Sequence, residues 1–150
     1  MKTEVEQQPG KKETKRIPFK ENILGDQEGK PRMTGTHCSI CGRYSFPFRP
    51  ICVFCHSREV RKAYLSDRGK LHTFTICRVP VPNMTPPYAM GYIDLPEGVM
   101  VFSQLTQWNE KELKIGLEME MVQEKLKTDK EGNEVYTYKF RPVKAGENEK

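Results

Sequence analysis

Four of the chain's five cysteines lie in one short stretch, C-S-I-C-G-R-Y-S-F-P-F-R-P-I-C-V-F-C. Cys38 and Cys41 form one C-x-x-C pair, Cys52 and Cys55 form a second, and ten residues separate the pairs. This spacing brings four sulfurs to the corners of a tetrahedron about 2.3 Å from a zinc ion. Four thiolates fill the shell and leave no position for water or substrate. An ion held this way is structural, and in small domains it contributes on the order of 10 kcal/mol to folding. The expected zinc ligands are Cys38, Cys41, Cys52 and Cys55. His37 and His56 flank the pairs, but the shell is already full. Gly42 suits the tight turn after the first pair. His56 stands at the matching place after the second, where it either strains the turn or supplies a polar contact.

The residues between the pairs, R-Y-S-F-P-F-R-P-I, concentrate aromatics, prolines and arginines. Tyr44 and Phe46 can cover the interior of a small ribbon while the prolines stiffen it. Alternatively Phe46, Pro47 and Phe48 form a rigid apolar knob with Arg49 at its rim, suited to a partner or an anionic ligand. Catalytic machinery is sparse. Cys77 is the one cysteine outside the pairs, and strict strand alternation sets it on the face opposite His72. No glycine-rich phosphate cradle, H-E-x-x-H or G-x-S-x-G is present. The chain is not expected to be an enzyme by itself.

The elements that hold these residues read as strands. R-E-V-R-K-A-Y-L-S runs to a turn at D-R-G, and K-L-H-T-F-T-I-C-R follows. Beyond a proline-rich loop come Y-A-M-G-Y-I-D-L, the turn P-E-G and V-M-V-F-S-Q-L-T. N-E-K-E-L-K-I-G is a polar helical turn ending at Gly116. L-E-M-E-M-V-Q-E-K-L and V-Y-T-Y-K-F-R-P-V close the series across a hairpin loop. Six strands at this spacing suit a closed antiparallel barrel, and the chain is read as mainly β. A short helix is expected near Lys20–Leu24, within an N-terminal arm anchored by Ile17, Phe19, Ile23 and Leu24. The expected layout is an arm over 1–34, a zinc ribbon over 35–60, a barrel over 61–143 and a flexible tail over 144–150.

Charge is uneven along the 150 residues. Residues 38–87 carry 8 basic and 2 acidic side chains, whereas residues 88–150 carry 9 basic and 12 acidic. A basic patch confined to the cysteine segment suits a phosphate-rich ligand or a polyanion. No stretch approaches the roughly 18 apolar residues of a membrane span, and the first sixteen residues lack a signal peptide's apolar core. A cytoplasmic location is expected. There, paired cysteines point to metal rather than to disulfides.

In order along the chain, C-S-I-C-G-R-Y-S-F-P-F-R-P-I-C-V-F-C, G-K-L-H-T-F-T-I, P-P-Y-A-M-G-Y-I-D-L-P-E-G-V-M-V-F-S-Q-L, L-K-I-G-L-E-M-E-M and Y-K-F-R-P-V make a specific combination. With it the sequence resembles the acyl-CoA-associated zinc-ribbon/OB-fold proteins, small subunits that accompany thiolases and hydroxymethylglutaryl-CoA synthases. Within that group it is most similar to the small subunits of benzoylsuccinyl-CoA thiolases, which yield benzoyl-CoA and succinyl-CoA in anaerobic toluene breakdown. Phe48 and Val53, where the family more often has proline, and His56, in place of glycine, depart from the pattern.

The resemblance implies a rubredoxin-like ribbon followed by an OB-fold barrel. It implies a non-catalytic subunit with structural Zn2+ that docks on a thiolase-type catalytic subunit and shapes or shields its coenzyme A or acyl-CoA site. Phe19, Phe46, Pro47 and Phe48 are the partner-binding candidates. Arg43, Arg49 and Arg78 are the candidates for coenzyme A phosphates. The competing reading is a single-strand nucleic-acid-binding protein in which Tyr44, Phe46, Phe48, Tyr64 and Phe74 stack on bases in a basic groove. The net acidic second half argues against it, because a strand-tracking groove needs positive charge across both halves.

Overall fold

The computed structural model describes residues 15–20, 22–82 and 84–143. Among these residues the regular structure is entirely strand. β1 (Arg16–Pro18), β2 (Leu24–Gln27), β3 (Lys30–Cys38), β4 (Tyr44–Ser45) and β5 (Val60–Tyr64) precede β6 (Arg68–Cys77), β7 (Tyr88–Asp94), β8 (Met100–Leu105), β9 (Glu118–Thr128) and β10 (Glu134–Pro142). No helix among them is long and apolar enough to cross a membrane.

The barrel uses β6 to β10. Neighbours run β10-β8-β7-β6-β9, and β9 pairs with β10 to close the ring. This is the expected OB-fold, with one junction, β10 beside β8 at Phe140 and Leu105, running parallel. Alternation aims one residue in two at the centre. Along β7, Ala89, Gly91 and Ile93 are buried, while Tyr92 and Asp94 face out. Leu71, Val101, Leu105, Met119 and Phe140 complete the fill. The expected helical turn forms at Asn109–Leu113, where the amides of Glu112 and Leu113 both donate to the Asn109 carbonyl, and Leu113 is buried in the core.

Three expectations are corrected. The helix at Lys20–Leu24 does not form. β1 lies parallel to β10 at Glu134–Tyr136, the chain turns through Asn22 (φ 64°), and Leu24 opens a hairpin with β3. So short a segment cannot offset the cost of helix nucleation, and sheet partners satisfy its backbone instead. Strict alternation in β6 also fails. Leu71 faces Ile93 and Thr73 faces Tyr92, so a bulge absorbs His72. Leu71 thereby joins Phe74 and Ile76 against the core, and His72 bonds Asp94 on the exposed side at 2.8 Å. Finally, the turn expected at D-R-G is the start of β6. Gly69 is required there by close approach, since a β-carbon would stand 2.4 Å from the Asp94 carbonyl and 2.8 Å from Ile93.

β3 leads out of the first hairpin and into the cysteine segment, pairing with both β4 and β5. Its Met33, together with Leu65 after β5, belongs to the same buried cluster as the barrel residues. Ribbon and barrel thus share one core.

If Gly69 is a packing glycine, Gly69→Ala lowers stability by about 1–3 kcal/mol, the usual range for overfilling a packed site, as read from urea unfolding. An unchanged midpoint would return Gly69 to the role of a turn residue.

Candidate metal centre and its surface

The two cysteine pairs are built alike. In the first, the Gly42 amide donates to the Cys38 carbonyl at 2.9 Å, and the Cys38 amide donates to the Arg43 carbonyl at 3.1 Å. In the second, the His56 amide donates to the Cys52 carbonyl at 3.1 Å, and the Cys52 amide to the Ser57 carbonyl at 2.9 Å. Each loop closes through a residue in the left-handed region, Gly42 at φ 74° and His56 at φ 63°. Glycine adopts that conformation freely; histidine pays for it in steric strain.

The four Sγ atoms lie within 4.8 Å of one another. Two close approaches cross between the pairs, Cys38 to Cys55 and Cys41 to Cys52, both at 3.6 Å. Sulfurs about 2.3 Å from a common tetrahedral ion stand about 3.8 Å apart, so this cluster fits an ion such as zinc. Its electrostatics agree. The Cys41 backbone amide, ahead of other causes, holds the Cys38 thiol below its ordinary value. The Cys55 amide is the chief reason that Cys52 is pulled down to about 6. At Cys55 the Ser57 amide acts in the same direction, but burial and the other three sulfurs outweigh it and push the thiol up to about 11. Backbone amides therefore ready part of the cluster for ionisation, while the last proton leaves only when a cation takes up the charge. A metal that takes four thiolates must displace the protons the cluster still carries, so affinity falls as pH drops.

Neither nearby histidine joins the sulfurs. His37 stacks on Tyr44 with ring centroids 4.4 Å apart. The remaining expected site residues scatter. Phe46 meets Tyr138 of the barrel edge to face at 5.7 Å, which turns it inward as a tie between ribbon and barrel. Phe48 is half-buried with the Lys62 ammonium 5.2 Å from its ring centre. Pro47, Phe48 and Arg49 line a groove beside the second pair. Phe19 is exposed and its amide donates to Tyr136. Arg43 lies over the Phe54 ring at 4.9 Å, and Arg78 is paired with Glu110. The three arginines thus occupy different settings.

Of the five aromatics considered for base stacking, Tyr44, Phe46 and Phe74 pack on the core, Phe48 lies under Lys62, and the Tyr64 hydroxyl donates to the Asp26 carbonyl. Cys77 lies beside Tyr88, whose pKa is raised by burial first and by that thiol second. Five strand positions, roughly 15 Å, separate Cys77 from His72.

One set of residues went unnoticed in the sequence. Ile40, Ile51, Val53 and Phe54 are 40 to 66% exposed at the tips of the two cysteine loops. The signal was present: Ile40, Val53 and Phe54 are x residues of the C-x-x-C pairs, and loops that turn their sulfurs inward present those positions to solvent.

Replacing His56 by glycine is expected to relieve the left-handed strain and stabilise the metal-loaded protein by about 1 kcal/mol, with metal content unchanged. Thermal unfolding with metal analysis checks this. A destabilised variant would mean that the histidine side chain makes a contact worth more than the strain.

Comparison with known proteins follows the architecture. A family profile described as "ChsH2, C-terminal OB-fold domain" matches residues 63–124. A "DUF35 domain-containing scaffold protein" of Pyrococcus furiosus is 40% identical over 117 residues, covering 76% of this chain and 85% of that protein. "Benzoylsuccinyl-CoA thiolase subunit BbsA" of Thauera aromatica is 32% identical over 143 residues, 92% of this chain and 99% of that one. The solved structure "Ltp2-ChsH2(DUF35) aldolase" shares the fold, with a TM-score of 0.62 at 21% identity over 74% of this chain and 84% of that chain. By the extent of its match to these relatives, the chain belongs to the OB-fold DUF35/ChsH2 family.

Proposed function

We propose that this chain is a non-catalytic, zinc-holding subunit of a cytoplasmic thiolase-type acyl-CoA acyltransferase complex. It docks on the catalytic thiolase subunit and shapes or shields the coenzyme A site there. One observation carries the reading: loops that bring four cysteine sulfurs together, enough to fill a tetrahedral shell, hold four apolar side chains out into solvent. A bound zinc supplies rigidity there and no open Lewis-acid position. Exposed apolar groups fixed on a stiff support are what a permanent interface uses.

The composition of the rest supports a passenger role. Thiolase chemistry needs a cysteine nucleophile, a histidine to activate it and an oxyanion site. Cys77 is half-buried beside Tyr88, and His72 is engaged with Asp94 some way along the strand. The names of the relatives, scaffold proteins and subunits of a thiolase, point the same way. The narrower assignment, cleavage of benzoylsuccinyl-CoA to benzoyl-CoA and succinyl-CoA in toluene degradation, rests on the relatives from Thauera aromatica and Geobacter metallireducens. For the coenzyme's phosphates, Arg43 is the best-placed candidate, exposed at the first loop, since Arg78 is already paired with Glu110.

Coexpressed with a thiolase-type subunit from the same organism, the chain is expected to coelute in fixed ratio, and by itself to turn over no thioester. Ile40→Asp with Phe54→Asp should abolish coelution while metal content and unfolding midpoint stay within error. Coelution that survives both changes, or thioester cleavage by the isolated chain, would refute the reading.

A further inference from the structure

Beside the second cysteine pair runs a groove of about 660 Å3, open to solvent. Buried Thr36 of β3 anchors one of its lining residues, Arg49. The Arg49 amide donates to the Thr36 hydroxyl at 2.7 Å, and that hydroxyl donates back to the Arg49 carbonyl at 3.1 Å. The Phe48 amide donates to the Thr34 carbonyl at 3.1 Å, so Phe48 and Arg49 are held at a set angle to β3. Pro47, Phe48, Ile51 and Val53 give apolar walls, and Lys20 and Arg49 give positive charge. Lys62 adds a third cation over the Phe48 ring. Among the described residues that line the groove there is no carboxylate.

We infer that this groove seats an extended acidic segment of the catalytic subunit, carrying one apolar anchor between carboxylates. The inference rests on the docking role proposed above and names the chemistry of the contact. Apolar walls take the anchor, and the cations take the flanking carboxylates.

Other occupants fit less well. Residues 1–14 and 144–150 each carry equal numbers of acidic and basic side chains, so neither offers an acidic run. For a nucleobase the stacking surface is reduced, because Lys62 sits over one face of Phe48.

The test uses the complex of full chain and catalytic subunit. With Val53 replaced by the photo-crosslinking residue p-benzoylphenylalanine, irradiation and mass spectrometry identify what lies in the groove. The expected product joins Val53's position to one segment of the catalytic subunit with Asp or Glu on both sides of an aliphatic or aromatic residue. Arg49→Glu with Lys62→Glu should weaken the complex at least tenfold, and exchanging that segment's acids for lysine should restore it. A crosslink to a basic or uncharged segment, to a second copy of this chain, or to nothing in a complex that still coelutes overturns the inference and leaves the docking role intact. So does a crosslink erased by coenzyme A without dissociation, which would give the groove to the nucleotide. Failure of the unmodified chain to coelute at all would instead remove the docking role, and the inference with it.

Discussion

Four sulfurs within 4.8 Å of one another are the constraint on which the remainder of the ribbon depends. Thiols crowded this closely cannot all ionise without a cation among them, and the raised pKa of Cys55 beside the lowered one of Cys52 expresses that conflict. A bound metal would resolve it and tie two loops that have almost no interior of their own. The cysteine segment buries Cys38 and Cys52 but leaves Ile40, Ile51, Val53 and Phe54 in solvent. A ribbon that turns its apolar side chains outward needs another source of cohesion, and coordination by the four cysteines would provide it.

Cohesion also comes from the barrel. Met33 and Leu65 extend the barrel core into the ribbon, and the edge of Phe46 on Tyr138 fastens the stretch between the cysteine pairs. The Leu65 amide donates to the Met33 carbonyl, so the linker leaves the ribbon in a fixed direction. Beyond it, Ser66 donates to Glu97 of the β7–β8 hairpin through both amide and hydroxyl, at 2.7 and 2.6 Å. The loop tips and the groove are therefore presented at a defined angle to the barrel. That geometry suits a part that must meet a larger protein in one orientation, because little conformational freedom is left to lose on association.

Much of this was legible in the residues, for reasons that differ by feature. The cysteine cluster is local, so spacing alone specifies it. The strands of the barrel are half-buried, so a period of two reveals them. Features set by tertiary contact were hidden. Nothing in K-L-H-T-F-T-I-C announces that His72 is absorbed in a bulge, because the bulge answers to β7 and β9 rather than to its own sequence. Gly69 looks like a turn residue until the Asp94 carbonyl is seen against it. The parallel strand at Arg16–Pro18 exists only because the start of β10 offers it an edge. Phe46 and Phe48 read alike in the sequence, yet one faces the barrel and the other the groove. Pairing and packing, not local propensity, separate them.

In this reading a closed thiolate–metal centre would make the ribbon rigid and take no part in chemistry. Chelation followed by two-dimensional amide NMR tests it most directly. Removing the metal should collapse the dispersed signals of residues 36–60 while the barrel's signals, from β6 to β10, persist. Restored zinc should bring the lost signals back. A ribbon that keeps its native spectrum after complete metal removal would contradict the account.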